Sequence, residues 1–127
     1  MERLLWISLA GAVGTGTRYL IGVWAAGRFG TAFPYGTLVV NLIGCFLMAL
    51  VVHVATTVTS ISPTLRLVLT TGFIGGLTTY SSFNYETTAL FASGARSVAF
   101  LNFGLTVGGC LLAGIAGFWV GRILVGA

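Results

Sequence analysis

The densest run of side chains that could bind an ion lies between residues 75 and 86. It reads Gly-Gly-Leu-Thr-Thr-Tyr-Ser-Ser-Phe-Asn-Tyr-Glu, so hydroxyls, an amide, aromatic rings and one carboxylate follow a glycine pair. Aromatic rings carry positive edges, which favour a small anion that has lost part of its water. Tyr80 and Phe83 are three residues apart and share one helix face. The run therefore predicts the lining of an anion path, with simple packing of the two rings as the alternative.

Three more polar side chains lie within apolar stretches, where such groups usually face a bundle interior or an aqueous path. Asn41 follows Thr37 by four residues, so its N–H donors and a hydroxyl share one helix face and suit an anion. An interhelical hydrogen bond is the alternative for Asn41. Arg18 predicts either a structural ion pair or a vestibule that attracts anions.

The composition requires elements that position these side chains inside a membrane. The chain has 127 residues, of which 57% are hydrophobic and 6% charged, and its mean hydropathy is +1.03. Since roughly 20 apolar residues cross a bilayer, there is room for about four crossings and no separate soluble domain. We predict an all-α membrane protein that forms one four-span domain over residues 1–127, with spans at about 4–26, 37–55, 65–92 and 98–125.

The third predicted span is too long for a straight crossing. Its 28 residues would extend roughly 42 Å as a helix, against a hydrocarbon core of about 30 Å. Gly75 and Gly76 remove two side chains in mid-span, and Thr78 and Thr79 supply hydroxyls for freed backbone groups. We therefore expect the helix to break over residues 75–79, and irregular backbone at this depth marks a candidate ion site.

Several function classes are disfavoured by what the chain contains. One histidine and two acidic residues could hardly build a catalytic or metal centre, so we predict that the protein is not an enzyme. The net charge of +4 comes from six scattered arginines, which do not form the basic stripe that nucleic-acid binding needs. Cys45 and Cys110 lie in apolar stretches and are expected to pack as small hydrophobes.

The arginines give the four spans almost no preferred orientation. With alternating spans, one end of the bundle carries Arg3, Arg66 and Arg122, and the other carries Arg28 and Arg96. Because an excess of positive charge sets the cytoplasmic side, a three-to-two balance predicts insertion in both directions and an antiparallel homodimer.

These residues resemble the Fluc (CrcB) family of fluoride channels. Residues 75–86 are similar to the family signature G-G-L-T-T-F-S-T-F-S-x-E, and residues 36–42 match its G-T-L-x-V-N motif. Arg18 looks like the arginine of the family's first span. The chain departs from the signature in three places: Tyr80 replaces Phe, Ser82 replaces Thr, and Asn84 replaces Ser.

The resemblance implies an antiparallel, dual-topology dimer with two pores that export fluoride passively and so relieve its toxicity. It implies a structural sodium ion, not transported, that is held at the dimer centre by the backbone carbonyls of Gly75 and Thr78. It also implies a multi-pass protein of a prokaryotic inner membrane, paired with itself or with a paralogue. Residues implied at the pore are Asn41, Tyr80 and Phe83, with Thr37, Ser81, Ser82 and Glu86 as polar neighbours and Arg18 in the vestibule.

Two other classes remain open at this stage. A proton-coupled small multidrug exporter also has four spans, but it needs a membrane carboxylate, for which Glu86 is the candidate. An assembly subunit that transports nothing would explain small-residue spacings such as Gly104/Gly108, but not the polar run after the glycine pair.

Overall fold

The computed structural model describes residues 1–126, which form helices and short connections without a strand. In chain order the elements are α1 (Glu2–Phe29), α2 (Tyr35–Thr57), α3 (Pro63–Leu67), a π-helical segment (Val68–Ile74), α4 (Gly75–Leu77), α5 (Tyr80–Ala92) and α6 (Arg96–Val125). Three of these, α1, α2 and α6, are long and apolar enough to cross a membrane. The prediction of an all-helical protein with membrane-spanning character is confirmed at this level.

Between α2 and α6 the chain forms a helical segment in two parts. The first part begins at Ser62, whose Oγ accepts a hydrogen bond from the Leu65 N–H at 3.1 Å. Pro63 follows at the first helical position, where its missing N–H costs no helical bond. The first part continues through the π-helical segment to α4, and α5 is the second part. Thr78 (ψ 157°) and Thr79 (φ −154°) lie between them in extended conformation.

This extended stretch is shorter than the five residues that the sequence predicts. The Thr78 N–H still donates to the Ile74 carbonyl at 3.0 Å, so the helix continues through both glycines to Leu77. Gly76 serves packing instead, because a Cβ there would overlap the backbone of Gly11 in α1. Gly76 therefore brings α1 and α4 together, and the change of backbone conformation falls on Thr78 and Thr79.

Two close helix contacts organise the rest of the bundle. Helices α2 and α6 pack along one another, while α1 packs against the π-helical segment and α4. Gly117 of α6 lies against the Phe46 carbonyl of α2, where there is no room for a Cβ. The Arg3 Nε donates to the Thr64 Oγ1 at 3.1 Å, which places the start of α1 beside the start of α3.

Candidate functional site

Asn41 holds the extended backbone in place. Its Nδ2 donates to the Thr79 carbonyl at 3.1 Å, and its Oδ1 accepts from the Thr79 N–H at 2.8 Å. The side chain is only 7% exposed. An amide carries both donors and an acceptor, so this one side chain satisfies both backbone groups of Thr79. The interhelical hydrogen bond considered for Asn41 is thus present, and one Nδ2–H is left over for a further acceptor.

Two carbonyls beside the break lose their usual helical donors. In a continuous α-helix, the N–H of residue i+4 donates to the carbonyl of residue i. The Thr79 N–H donates to Asn41 rather than to the Gly75 carbonyl. The Ser82 N–H donates to the Thr79 Oγ1, at 3.2 Å, rather than to the Thr78 carbonyl. Carbonyl oxygens are ligands that hard cations prefer, so the chemistry of Gly75 and Thr78 fits a bound sodium ion.

A cavity of about 360 Å³ lies beside the break, bordered by α2, α5 and α6, and its lining includes Asn41, Tyr80 and Phe83. Phe83 is 4% exposed, whereas Tyr80 is 77% exposed. The two ring centroids are 5.6 Å apart with an angle of 63° between the planes. The structure therefore places an amide donor and two aromatic rings around one cavity.

Arg18, Thr37 and Ser82 border a second cavity, of about 350 Å³, between α1, α2 and α5. The Arg18 Nε donates to the Gly76 carbonyl at 3.1 Å. The guanidinium is therefore anchored to the backbone just before the break, with further N–H groups beyond this bond. Thr79 lines both this cavity and the first one.

Glu86 does not line the first cavity but borders a third one, of about 370 Å³, at the connection between α1 and α2. The Thr37 Oγ1 donates to the Glu86 Oε1 at 2.7 Å, while Oε2 is buried without a hydrogen-bond partner in the described residues. Ser81 is exposed, with its Oγ 3.3 Å from the Thr79 Oγ1, and lines none of the three cavities. The predicted pore residues thus divide into two sets. One set lines the first cavity and consists of Asn41, Tyr80 and Phe83. The other, which we call the polar group, borders the second and third cavities and consists of Arg18, Thr37, Ser82 and Glu86.

A buried polar line along α5 and α6 was missed by the sequence reasoning. The Thr87 Oγ1 donates to the Phe83 carbonyl at 2.7 Å, and the Asn102 Nδ2 donates to the Thr87 Oγ1 at 2.9 Å. Thr106, one turn after Asn102, donates to its Oδ1 at 3.4 Å and also lines the first cavity. The signal was an asparagine and a threonine four residues apart in an apolar helix.

Comparison with known proteins places this arrangement in a family. The model of the family described as "CrcB-like protein, Camphor Resistance (CrcB)" matches residues 5–118. The chain belongs to the CrcB family. A CrcB relative from Sorangium cellulosum is 50% identical over 125 residues, covering 98% of each chain, and is named a fluoride-specific ion channel, FluC. Relatives with the same name from Geobacter sp. and Anaeromyxobacter sp. are each 47% identical and cover 98% and 99% of this chain and 100% of their own.

CrcB membership confirms the resemblance predicted from the motifs at residues 36–42 and 75–86. It also confirms the prediction that the protein is not an enzyme, because the matching CrcB relatives are named as ion channels. The comparisons support neither a multidrug exporter nor an assembly subunit.

Proposed function

We propose that this protein is a fluoride-selective channel through which fluoride leaves the cell down its gradient, which relieves fluoride toxicity. The observation that carries the proposal is the cavity where the Asn41 amide lies beside the rings of Tyr80 and Phe83. The fluoride-specific channel names of the CrcB relatives support the same ion.

The first cavity, which we call the ring cavity because Tyr80 and Phe83 line it, has the chemistry that a small, partly dehydrated anion needs. One Nδ2–H of Asn41 is used on Thr79, and the other is left to donate to an ion. The inclined rings of Phe83 and Tyr80 turn their positive edges in different directions. In a medium of low dielectric constant these interactions are stronger than in water, so they can replace part of the ion's hydration.

The polar group extends the proposed path on the other side of the break. Arg18 brings a positive charge to the second cavity, which favours entry of anions over cations. Thr37 and Ser82 line the same cavity and have hydroxyls for a passing ion. Thr37 also donates to Glu86, so part of the carboxylate's charge is already compensated where it borders the third cavity.

Passive movement is favoured because the chain has few groups to couple transport to protons. Arg18 is the single charged residue between Arg3 and Arg28, so the first span lacks the carboxylate that a proton-coupled exporter needs. Glu86 is the one acidic residue outside the first turn of α1. We infer a channel rather than a coupled exporter.

The same proposal includes a structural sodium ion. The Gly75 and Thr78 carbonyls would hold it, since the N–H groups that normally bond them are directed to Asn41 and Thr79. A bound cation would fix the extended backbone and so keep the Asn41 amide in position. Two carbonyls are few for a hard cation, so a second copy of the chain would contribute two more oxygen ligands.

An antiparallel homodimer supplies that second copy. Gly75 and Tyr80 are both exposed in the single chain, although they flank the break. Pairing across this surface would cover Tyr80 and bring two sets of carbonyls together at the dimer axis. Such a dimer, inserted in the inner membrane of a bacterium, is the assembly that we propose.

The experiment is fluoride efflux from liposomes that contain the purified protein. We expect fluoride release in sodium buffer, measured with a fluoride electrode, and no matching release of chloride. Replacement of sodium by a bulky organic cation should decrease the fluoride rate. Absence of fluoride release with sodium present would reject the channel, whereas full release without sodium would reject only the structural ion.

A further inference from the structure

Two cysteines face one another where α2 packs against α6. Cys45 lies on α2 and Cys110 on α6, both are free, and both line the same cavity between these helices. The two side chains are half-buried and border the ring cavity. The chain contains no other cysteine, so all of its thiols are at this one place.

A third sulfur borders the same cavity. Met48 lies three residues after Cys45, nearly one turn along α2, and lines the cavity together with both cysteines. Three of the four sulfur-containing residues of the chain therefore line one cavity, since Met1 is the only other methionine. Simple packing, which the sequence predicts for the cysteines, explains their burial. It does not explain why three sulfur-containing residues line the same cavity of about 360 Å³.

We propose that Cys45, Cys110 and Met48 form a binding site for one soft monovalent cation, Cu⁺ or Ag⁺. Thiolate and thioether sulfurs are the ligands that select such cations over hard ones. The structural sodium ion proposed above would use carbonyl oxygens, so the two cation sites differ in place and in chemistry. Zinc fits less well, because it takes four nitrogen, sulfur or oxygen ligands and this cavity offers three sulfurs.

Charge favours a monovalent ion in this apolar wall. Binding converts one thiol and Ag⁺ into a neutral silver thiolate and one released proton, because metal ligands must be deprotonated. The second thiol and the Met48 thioether then act as neutral donors. The site therefore carries no net charge when filled, which avoids the cost of an unpaired charge in a medium of low dielectric constant.

The test is an Ag⁺ titration of the purified full-length protein in chloride-free buffer, followed by calorimetry and by native mass spectrometry. We expect one Ag⁺ per chain, and binding weakened roughly tenfold or more in Cys45→Ser and in Cys110→Ser. Met48→Leu keeps the side-chain volume but loses the thioether, and should weaken binding by a smaller factor. Leu111→Ala changes an exposed residue next to Cys110 that does not line the cavity, and this variant should bind as the unmodified protein does.

Thiol counting gives a second readout that does not depend on affinity. The unfolded chain should react with two maleimides, and Ag⁺ should protect both thiols in the folded protein. Size-exclusion elution and circular dichroism confirm that each variant is folded. Absence of Ag⁺ binding by the unmodified protein would overturn the proposal, and so would folded serine variants that bind Ag⁺ as tightly as the unmodified protein does.

One consequence rests on the proposed channel function. If fluoride passes the Phe83 ring, Ag⁺ held by the cysteines narrows the cavity that Phe83 and the cysteines line. Fluoride efflux should therefore decrease. The decrease should be absent in Cys45→Ser. Binding of Ag⁺ without any decrease would leave the metal site intact and count against a fluoride path through this cavity.

Discussion

At the scale of single residues, Asn41 connects the backbone break to the proposed ion path. Asn41→Ala removes both of its hydrogen bonds with Thr79 and leaves a buried N–H and carbonyl, each costing about 1–3 kcal/mol when unsatisfied. We expect fluoride efflux from liposomes to fall by roughly tenfold or more, as a hydrogen bond of that strength predicts. The thermal unfolding temperature in detergent should fall as well.

A matched control for Asn41 lies on α5. Asn84 is an exposed asparagine that lines none of the three cavities, so Asn84→Ala should leave both efflux and unfolding temperature unchanged. Equal efflux from Asn41→Ala and Asn84→Ala liposomes would remove Asn41 from the path.

Tyr80 is the aromatic residue at which this chain departs from the family signature. Its hydroxyl makes no hydrogen bond with the described residues. The centroids of its ring and of the Phe83 ring are 5.6 Å apart. If ring edges attract the ion, Tyr80→Phe keeps the aromatic edge, and its fluoride efflux should stay within about twofold of that of the unmodified protein. Tyr80→Ala should decrease efflux further than Tyr80→Phe does. A rate in Tyr80→Phe as low as that in Tyr80→Ala would assign the contact to the hydroxyl instead.

At the scale of elements, Thr79 ends one helical part and begins the next. Its Oγ1 accepts the Ser82 N–H at 3.2 Å and so withholds that donor from the Thr78 carbonyl. Thr79→Ala frees the Ser82 N–H to bond Thr78, which would take a carbonyl away from the proposed cation. We expect fluoride efflux to require more sodium in Thr79→Ala, measured over a series of sodium concentrations.

Thr79→Ser is the control for this prediction, because it keeps the accepting hydroxyl and loses only a methyl group. It should show the sodium dependence of the unmodified protein. If Thr79→Ala shows that same dependence, the hydroxyl does not control access to the Thr78 carbonyl.

The α2–α6 contact gives a prediction about stability that does not depend on function. A Cβ at Gly117 would overlap the Phe46 carbonyl, whereas one at Gly114 would lie 3.9 Å from the Cys45 carbonyl, an ordinary contact. Gly117→Ala should therefore destabilise the protein by about 1–3 kcal/mol through overpacking. Gly114→Ala gains the higher helix propensity of alanine, up to about 1 kcal/mol, and should be neutral or stabilising. Unfolding in detergent measures both; equal stabilities would contradict the close contact.

The helices and the polar run are predictable from sequence because their signals are local. Hydropathy and spacing within α2 or α5 need no knowledge of a partner. The pairing of Asn41 with Thr79 joins residues 38 positions apart, and that of Asn102 with Thr87 joins residues 15 apart. A polar side chain in an apolar helix shows that a partner is needed but not which one. The predicted break at Gly76 was wrong for a related reason. The contact that explains this glycine, with Gly11 in α1, is also between residues far apart in the sequence.

At the scale of the whole molecule, one chain is only part of the proposed channel. Its break faces outward at Gly75, and the ring of Tyr80 is 77% exposed beside it. The Arg3–Thr64 hydrogen bond places the starts of α1 and α3 at one end of the bundle, as the assignment of Arg3 and Arg66 to one end requires. The near balance of arginines between the ends would then allow both orientations, and two opposite copies would meet at the break.

Two charge variants should separate these orientations. Arg28→Gln with Arg96→Gln leaves three arginines at the end with the chain termini and none at the other, so this end should face the cytoplasm. Thr31→Lys and Ser93→Lys, in exposed connections, combined with Arg66→Gln, give four positive charges against two in the opposite sense. Arg18 is left unchanged in both, because it borders the second cavity.

Each charge variant alone should insert in one direction and conduct poorly, because copies with the same orientation cannot form an antiparallel pair. Co-expression of the two variants should restore fluoride efflux, since each would supply the orientation that the other lacks. Reporter fusions at the C-terminus measure orientation in cells, and a fluoride electrode measures efflux from liposomes made with the co-purified pair. Full efflux from a variant shown to insert in a single direction would rule out the antiparallel dimer while leaving the ring cavity as the ion path.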